Sequence, residues 1–241
     1  RSFQAENYVK AFGNVQMNQG DTIFMNSRYA EYNGDRQFAY ATGGVNMRSP
    51  DMTLTTDTIY FDRSIQQAYY NSGGTIVNRE NTLVSKAGRY KLAERKYESR
   101  TAVTLTNPKY LLKSNHLDYY TNSGHAYVFG PSTITSKKDY IYTEKGFYDT
   151  KKNLARLYTN SYIQYETRTI RGDEMFYDRN KDYSSATRNV SVVDTVNKYK
   201  ATGHYAEVFR AKDSLIMTKH ALVATLVEKD SLFTHAKKMV I

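Results

Sequence analysis

The chain has no cysteine, no tryptophan and only three prolines among its 241 residues. Without cysteine there is no disulfide framework and no thiolate metal site, which fits either an oxidising or a reducing compartment. Long apolar runs are missing too. The longest clean one, Ala221 to Val227, falls far short of the roughly 20 residues that span a bilayer, so a soluble chain is expected. The chain begins at Arg1 without an initiator Met or a signal-type segment, which reads as a mature or trimmed product whose targeting sequence has been removed. Catalytic signatures are also absent. The five histidines, His116, His125, His204, His220 and His235, show no ligand spacing, and there is no His-x-x-x-His, Gly-x-Ser-x-Gly, P-loop or dinucleotide motif. No catalytic residue, metal or cofactor is expected.

What is abundant is tyrosine, 23 residues, and positive charge, with 34 Lys plus Arg against 24 Asp plus Glu and a formal net charge of +10. Many tyrosines with few prolines favour extended structure. The positive field attracts phosphates, anionic lipids, acidic glycans or nucleic acid without choosing among them. The basic residues form no segregated block; Lys86, Arg89, Arg95, Lys96, Lys137, Lys138, Lys151, Lys152, Arg168, Arg171, Lys237 and Lys238 have acids between them. Solvated loop charge is the expected role of each, with contact to phosphates or acidic sugars as the alternative.

The decisive feature is a repeat. Tyr32, Phe61, Tyr90, Tyr119, Tyr148 and Tyr177 stand 29 residues apart. Two further columns keep that register: Met25, Leu54, Leu83, Leu112, Ile141 and Ile170, and Met47, Ile76, Leu105, Ile134, Ile163 and Val192. Such a unit cannot bury its apolar face alone, so about eight units must stack and share a core. Because the repeat crosses any midpoint, residues 1–241 are expected to form a single elongated domain.

Each repeat carries two polar turn signals. One series is Asn18–Asp21, Ser49–Asp51, Arg79–Asn81, Asn107–Lys109, Lys137–Asp139 and Glu166–Arg168. The other, half a repeat later, is Asn33–Asp35, Arg63-Ser64, Ala93–Arg95, Asn122–Gly124, Lys151–Asn153 and Arg179–Lys181. Between them lie segments long enough for bent strands, and alternation at Met52, Leu54, Thr56 and Thr58 supports β over helix. Leu54 and Phe61 are seven apart, as are Leu112 and Tyr119, and an odd separation puts residues on opposite faces of an unbroken strand. A bulge that resets the phase is therefore expected, with Gly43-Gly44 and Gly73-Gly74 as bend points. After Asp194 the register slips by about two residues, placing Gly203 where the earlier spacing would put residue 201.

Gly13 to Met17 and Gly43 to Met47 are each followed by a loop and then a strand ending in an aromatic, as in Leu54 to Asp62, and this wording resembles the OstA-like family of lipopolysaccharide-transport proteins. Those proteins repeat an A-x-G-N-V … D … L-x-A-D … Y-D sentence, and Ala11 to Val15, Asp51 to Asp62, Tyr148-Asp149 and Met175 to Asp178 fit it. It degenerates at Gly74-Thr75-Ile76 and is lost at Thr101 to Leu105. The resemblance implies an all-β, folded-over jellyroll of antiparallel strands, V-shaped, whose apolar interior carries acyl chains. It implies a non-enzymatic carrier of lipopolysaccharide or lipid A, in the periplasm or at the periplasmic face of the outer membrane, contributing to outer-membrane assembly. The groove residues would be Leu54, Phe61, Ile76, Leu83, Tyr90, Leu105, Leu112, Tyr119, Ile134, Ile141, Tyr148, Ile163, Ile170 and Tyr177. Partners would be other proteins of like fold. The first and last strands, near Phe3 to Val9 and Ala221 to Val227, would offer edges for them and for end-to-end self-association.

Two other classes compete. A β-helix lyase or hydrolase also repeats every 20 to 30 residues and places carboxylates on adjacent rungs. Here Asp62, Asp149 and Asp178 lack partners in the same rung, and their place at the second turn suits turn initiation. A structural or adhesive repeat protein would bind no lipid. Nucleic-acid binding has the charge and the tyrosines but no recognisable module, so no nucleic-acid partner is expected.

Overall fold

The computed structural model describes residues 7–241 apart from 20, 22, 51 and 229. Two compact units divide the chain, Arg1–Asn122 and Ser123–Ile241. The first holds β1 (Tyr8–Gln19), β2 (Ile23–Asn33), β3 (Phe38–Arg48), β4 (Thr53–Asp62), β5 (Gln67–Tyr70), β6 (Gly74–Asn78), β7 (Asn81–Ser85), β8 (Ala87–Lys91), β9 (Lys96–Asn107) and β10 (Tyr110–Tyr120). The second holds β11 (His125–Thr135), β12 (Asp139–Asp149), β13 (Leu154–Leu157), β14 (Tyr162–Tyr165), β15 (Arg168–Arg171), β16 (Glu174–Asp178), β17 (Tyr183–Asp194), β18 (Tyr199–Phe209), β19 (Ser214–Val227) and β20 (Asp230–Val240). Within each unit every pairing is antiparallel, and successive passes of the chain lie side by side through the short turns that the sequence marks. The sole helical element among the described residues is a 3-10 turn, Arg210–Lys212.

Every pass breaks near its middle. The ladder shifts between Phe12 and Val15, Thr42 and Val45, Ser114 and His116, Phe129 and Ser132, Thr187 and Val190, and Thr202 and Tyr205. Elsewhere the pass splits outright, as β5 from β6 and β13 from β14. In β4, Thr56 pairs with Val45 and Thr58 with Thr42, leaving Asp57 opposite Gly43-Gly44. The break therefore moves the inward positions from Leu54 and Thr56 to Ile59 and Phe61, and both apolar columns reach one interior.

Two side-chain devices make the break tolerable. On one set of passes the backbone turns left-handed, with Gly43 and Gly44 at φ +84° and +82° and Gly73 at +80°. Later repeats put ordinary residues there: Thr101, Ala102, Arg188, Asn189, Lys219 and His220 all have positive φ. On the neighbouring passes a buried hydroxyl donates to the carbonyl two residues on. Ser27 reaches Tyr29 O at 3.1 Å, Thr56 Thr58 O at 3.4 Å, Ser85 Ala87 O at 3.0 Å, Ser114 His116 O at 2.9 Å and Thr143 Lys145 O at 2.8 Å. These five residues also stand 29 apart. Each satisfies an acceptor beside the broken ladder that burial would otherwise leave costly.

The breaks fold each unit over on itself. Tyr97 pairs with Tyr90 and Tyr119 at one end of the ladder, yet its hydroxyl lies 3.0 Å from the sulfur of Met52 at the other end. In the second unit Tyr177, paired with Ala155, reaches Asp139, whose ladder partner is Tyr165 at the opposite strand end. Two arms thus face each other across an apolar interior. The outer faces carry charge and tyrosine. Rings of Tyr40, Tyr60 and Tyr69 follow one another across adjacent strands, and Glu98 is held by Lys91 and Lys96 at 3.0 Å each.

Where the edge strands lie differs from the sequence expectation. Ala221 to Val227 belongs to β19, which pairs with β18 on one side and β20 on the other. The end strand is β20, too polar and too interrupted by Lys and His to stand out as an apolar run. Of the Phe3 to Val9 edge, residues 3–6 lie outside the described residues, and Val9 lies on β1, which among the described residues pairs with β2 alone.

Two outcomes test this account. Thr143→Val removes a buried hydroxyl without changing side-chain shape and should cost about 1–3 kcal/mol in urea unfolding. Thr101→Gly should instead add up to about 1 kcal/mol by relieving a left-handed β-branched residue. Acid should act through Glu98. Burial pushes its carboxyl up, but the Lys91 and Lys96 ammoniums outweigh burial and leave it at about 2, below the usual 4.5. The stabilisation is therefore present above about pH 4.5 and lost as pH falls towards about 2. Urea midpoints taken from pH 6 to pH 2 should fall less steeply in Glu98→Gln, by about 1–2 kcal/mol over the window.

Candidate functional site

The residues singled out as groove-lining fall into two continuous cross-strand rows in each unit. In the first unit one row runs Met47, Leu54, Ile76, Leu83, Leu105, Leu112, each paired with the next. The other runs Tyr32, Ala39, Phe61, Ala68, Tyr90, Tyr97, Tyr119. In the second unit the aliphatic row is Ile134, Ile141, Ile163, Ile170, Val192, Ala201, Val223. Its companion is Ala126, Tyr148, Ala155, Tyr177, Ser184, Val208. The step from Val192 to Ala201 absorbs the two-residue slip read after Asp194.

The aromatic column has a companion that the sequence reading missed. Ala39, Ala68, Ala126 and Ala155 also keep a 29-residue frame; Ala39, Ala68 and Ala155 sit between aromatic neighbours on the flanking strands, and Ala126 pairs with Tyr148. Large and small side chains thereby alternate across the row, which lets rings lie flat over the methyls. The signal was present in the spacing but hidden by alanine's weak hydrophobicity.

The two interiors are not alike. In the second unit Ile163, Ile170, Val192, Val208, Leu215 and Met217 are all fully buried and join Tyr165, Met175 and Tyr177 in one cluster. In the first unit the buried set is smaller, with Val15, Val45, Leu54, Ile59, Tyr70 and Ile76, and Met25, Met47, Met52 and Leu83 are only partly covered. Methionine is the flexible apolar residue best able to repack around a guest. Tyr70 is wedged against Gly74 and Gly88, where an added Cβ would fall 2.6 Å and 2.4 Å from its ring.

Electrostatics concentrate at the mouth of the second unit. Asp139, Tyr165, Arg168, Asp194 and Tyr199 follow one another in the ladder at one strand end. Arg168 donates through Nε to Asp194 at 2.9 Å and through Nη1 to Asp213. Arg210, from the turn at the other strand end, pairs with Asp139 and lies over the rings of Tyr165 and Tyr177 at 4.3 Å and 5.2 Å. Burial, and then the Asp139 carboxylate, push the Tyr177 hydroxyl up to about 12. Arg168 counted as loop charge in the sequence; its cross-mouth role and the whole of Arg210 are visible only once the strands are folded over.

The aspartates weighed as catalytic are turn-formers. Asp62 accepts from the backbone of Ser64 at 3.0 Å, Asp149 from Lys151 and Lys152 at 3.0 Å and 2.9 Å, and Asp178 from Asn180 and Lys181 at 3.0 Å and 3.3 Å. Among the described residues no three His, Cys, Asp or Glu side chains cluster as a metal site. No helix there is long and apolar enough to cross a membrane.

Comparison with known proteins agrees with the repeat wording. The chain matches no curated protein. Among solved structures it is similar to LptH from Pseudomonas aeruginosa, described as the LptA homologous periplasmic component of the lipopolysaccharide transport device. The two are 14% identical, with 57% of this chain and 82% of that chain covered and a TM-score of 0.27, a superposition too loose for structural argument. The family model for OstA-like protein matches residues 1–115, a span that holds nearly all of the first folded-over unit.

Proposed function

We propose that the protein carries lipopolysaccharide, or a related amphipathic glycolipid, by housing its acyl chains between the two arms, with no turnover chemistry. The observation that carries this reading is the unbroken aliphatic row in each unit, accompanied by a row of aromatic and alanine side chains that Ser184 interrupts in the second unit. Apolar side chains aligned in cross-strand register offer a surface along which an alkyl chain slides without meeting a polar barrier. Ten methylenes fully buried there would contribute up to about 8 kcal/mol, at roughly 0.8 kcal/mol each. The half-covered methionines and Leu83 make the first unit the better entry point, and that unit holds the OstA-like span.

The same reading places the protein in the periplasm or at the periplasmic face of the outer membrane, in outer-membrane assembly. We take residues 1–241 as one functional domain, because the 29-residue frame continues through both units. Partners of like fold would pair with the edge strands. β20 is exposed along almost its whole length, with Leu232 and Phe233 about 60% exposed, and β1 presents Val9 and Phe12. Such edges favour strand addition.

Photo-crosslinking to lipopolysaccharide, with a deacylated competitor bearing the same phosphates and sugars, tests the reading. Capture should survive the competitor. Leu83→Asp or Leu105→Asp, at half-buried interior positions, should weaken capture by about tenfold or more, equivalent to about 1.4 kcal/mol per decade, whereas Lys138→Ala on an exposed turn should change it little. Equal losses, or capture abolished by the deacylated competitor, would point to a surface electrostatic mode and overturn the groove.

A further inference from the structure

Arg210 leaves half of its hydrogen-bonding fork empty inside the protein. Its side chain is 11% exposed, its Nη1 is taken by Asp139, and Nε and Nη2 are buried with no hydrogen-bond partner. Those two nitrogens form one planar edge of the guanidinium, the edge that grips two oxygens of a phosphate or carboxylate side by side. Native proteins rarely leave such donors buried and empty, and when they do an unfilled ligand position is a leading explanation. The rings of Tyr165 and Tyr177 lie within reach of the guanidinium and help hold it in place. The fork is therefore oriented before any ligand arrives.

The same residue also spans the mouth of the unit. Arg210 rises from one strand end and pairs with Asp139 at the other, while Arg168 crosses in the opposite sense to Asp213. Behind these two pairs lie the fully buried Ile163, Ile170 and Val192. In the first unit an uncharged contact, from Tyr97 to Met52, spans the corresponding mouth.

We propose that the Nε–Nη2 edge of Arg210 anchors the phosphate head of an amphiphile. The Arg210–Asp139 and Arg168–Asp213 pairs form a latch that such a head opens by taking the place of the carboxylates, admitting the alkyl chain to the second unit. A phosphate exchanges one anion for another on the same guanidinium, so opening leaves no cation bare. A neutral head group offers no such exchange and would leave the Arg210 guanidinium and the Asp139 carboxylate, both largely buried, without each other. Phosphate is favoured over a carboxylate because it carries more charge and a third oxygen, enough to engage Arg168 as well. This inference rests on the acyl-carrier reading and adds to it a head-group specificity and a closed state.

The test uses two photoreactive probes with the same diazirine-bearing alkyl chain, one ending in a phosphate monoester and one in a hydroxyl, with labelled residues mapped by mass spectrometry. In the wild-type protein the phosphate probe should label Ile134 and Val223 about tenfold more than the hydroxyl probe, the equivalent of one good charge-assisted contact. Asp139→Asn should admit the hydroxyl probe and narrow that gap; Asp213→Asn, at an exposed turn position that folding tolerates, should do the same more weakly. Arg210→Met should abolish the phosphate advantage. Without any lipid, hydrogen exchange in β14, β15 and β17 should speed up in both aspartate variants. Equal labelling by the two probes in the wild type, or a phosphate advantage that survives Arg210→Met, would overturn the proposal. Labelling of Leu83 in the first unit with none in the second would overturn the latch and leave the carrier reading standing; labelling of neither interior would sink both.

Discussion

The fold depends on a controlled failure of β pairing. A pass of eleven or so residues that kept its ladder intact would put its two apolar columns on opposite faces and bury neither. Breaking the ladder once, near the middle, brings both columns to one side and gives the sheet its fold. Such a break exposes a carbonyl and forces unusual backbone angles, and each repeat meets both needs locally. A serine or threonine at a fixed place supplies the missing donor, and glycine, or a residue held left-handed by its neighbours, supplies the angle. Once the break is stable the interior, the aligned rows and the facing arms follow from geometry.

This local character explains what was legible in the sequence. A 29-residue frame in Leu54, Leu83 and Leu112 survives because each copy solves the same packing problem, and the odd spacing from Leu54 to Phe61 already required a phase reset. Gly43-Gly44 could be named as a bend because glycine marks left-handed backbone openly. Thr101-Ala102 could not, since nothing in those side chains announces positive φ; only their place in the frame does. The hydroxyl and alanine columns were equally periodic but passed unread because small residues carry little hydrophobic signal. The end strand was misplaced for a related reason: β20 is exposed on both faces and reads as polar, so the apolar run in β19, lying between two neighbours, looked like the terminus.

Long-range chemistry was the part that no periodicity could supply. Asp139 and Arg210 are 71 residues apart and meet because two strand ends that are remote along the ladder are brought together by the fold. The same folding gives the two units different characters from similar repeats. Flexible, partly covered methionines line the first, whereas branched aliphatics, close-packed behind paired charges, fill the second. The first interior thus offers a more accessible apolar surface, and the second keeps its apolar surface out of water behind paired charges.

The central claim is that acyl chains lie inside, along the aliphatic rows. Methyl-resolved NMR with lipopolysaccharide bearing a spin label on an acyl chain tests it most directly. The account predicts that relaxation enhancement strikes the methyls of Met47, Ile76, Leu83 and Leu105, which line the first interior, and spares outward Val77 and Val84 on the same strands. Enhancement concentrated on Val77 and Val84, with the interior methyls untouched, would contradict it.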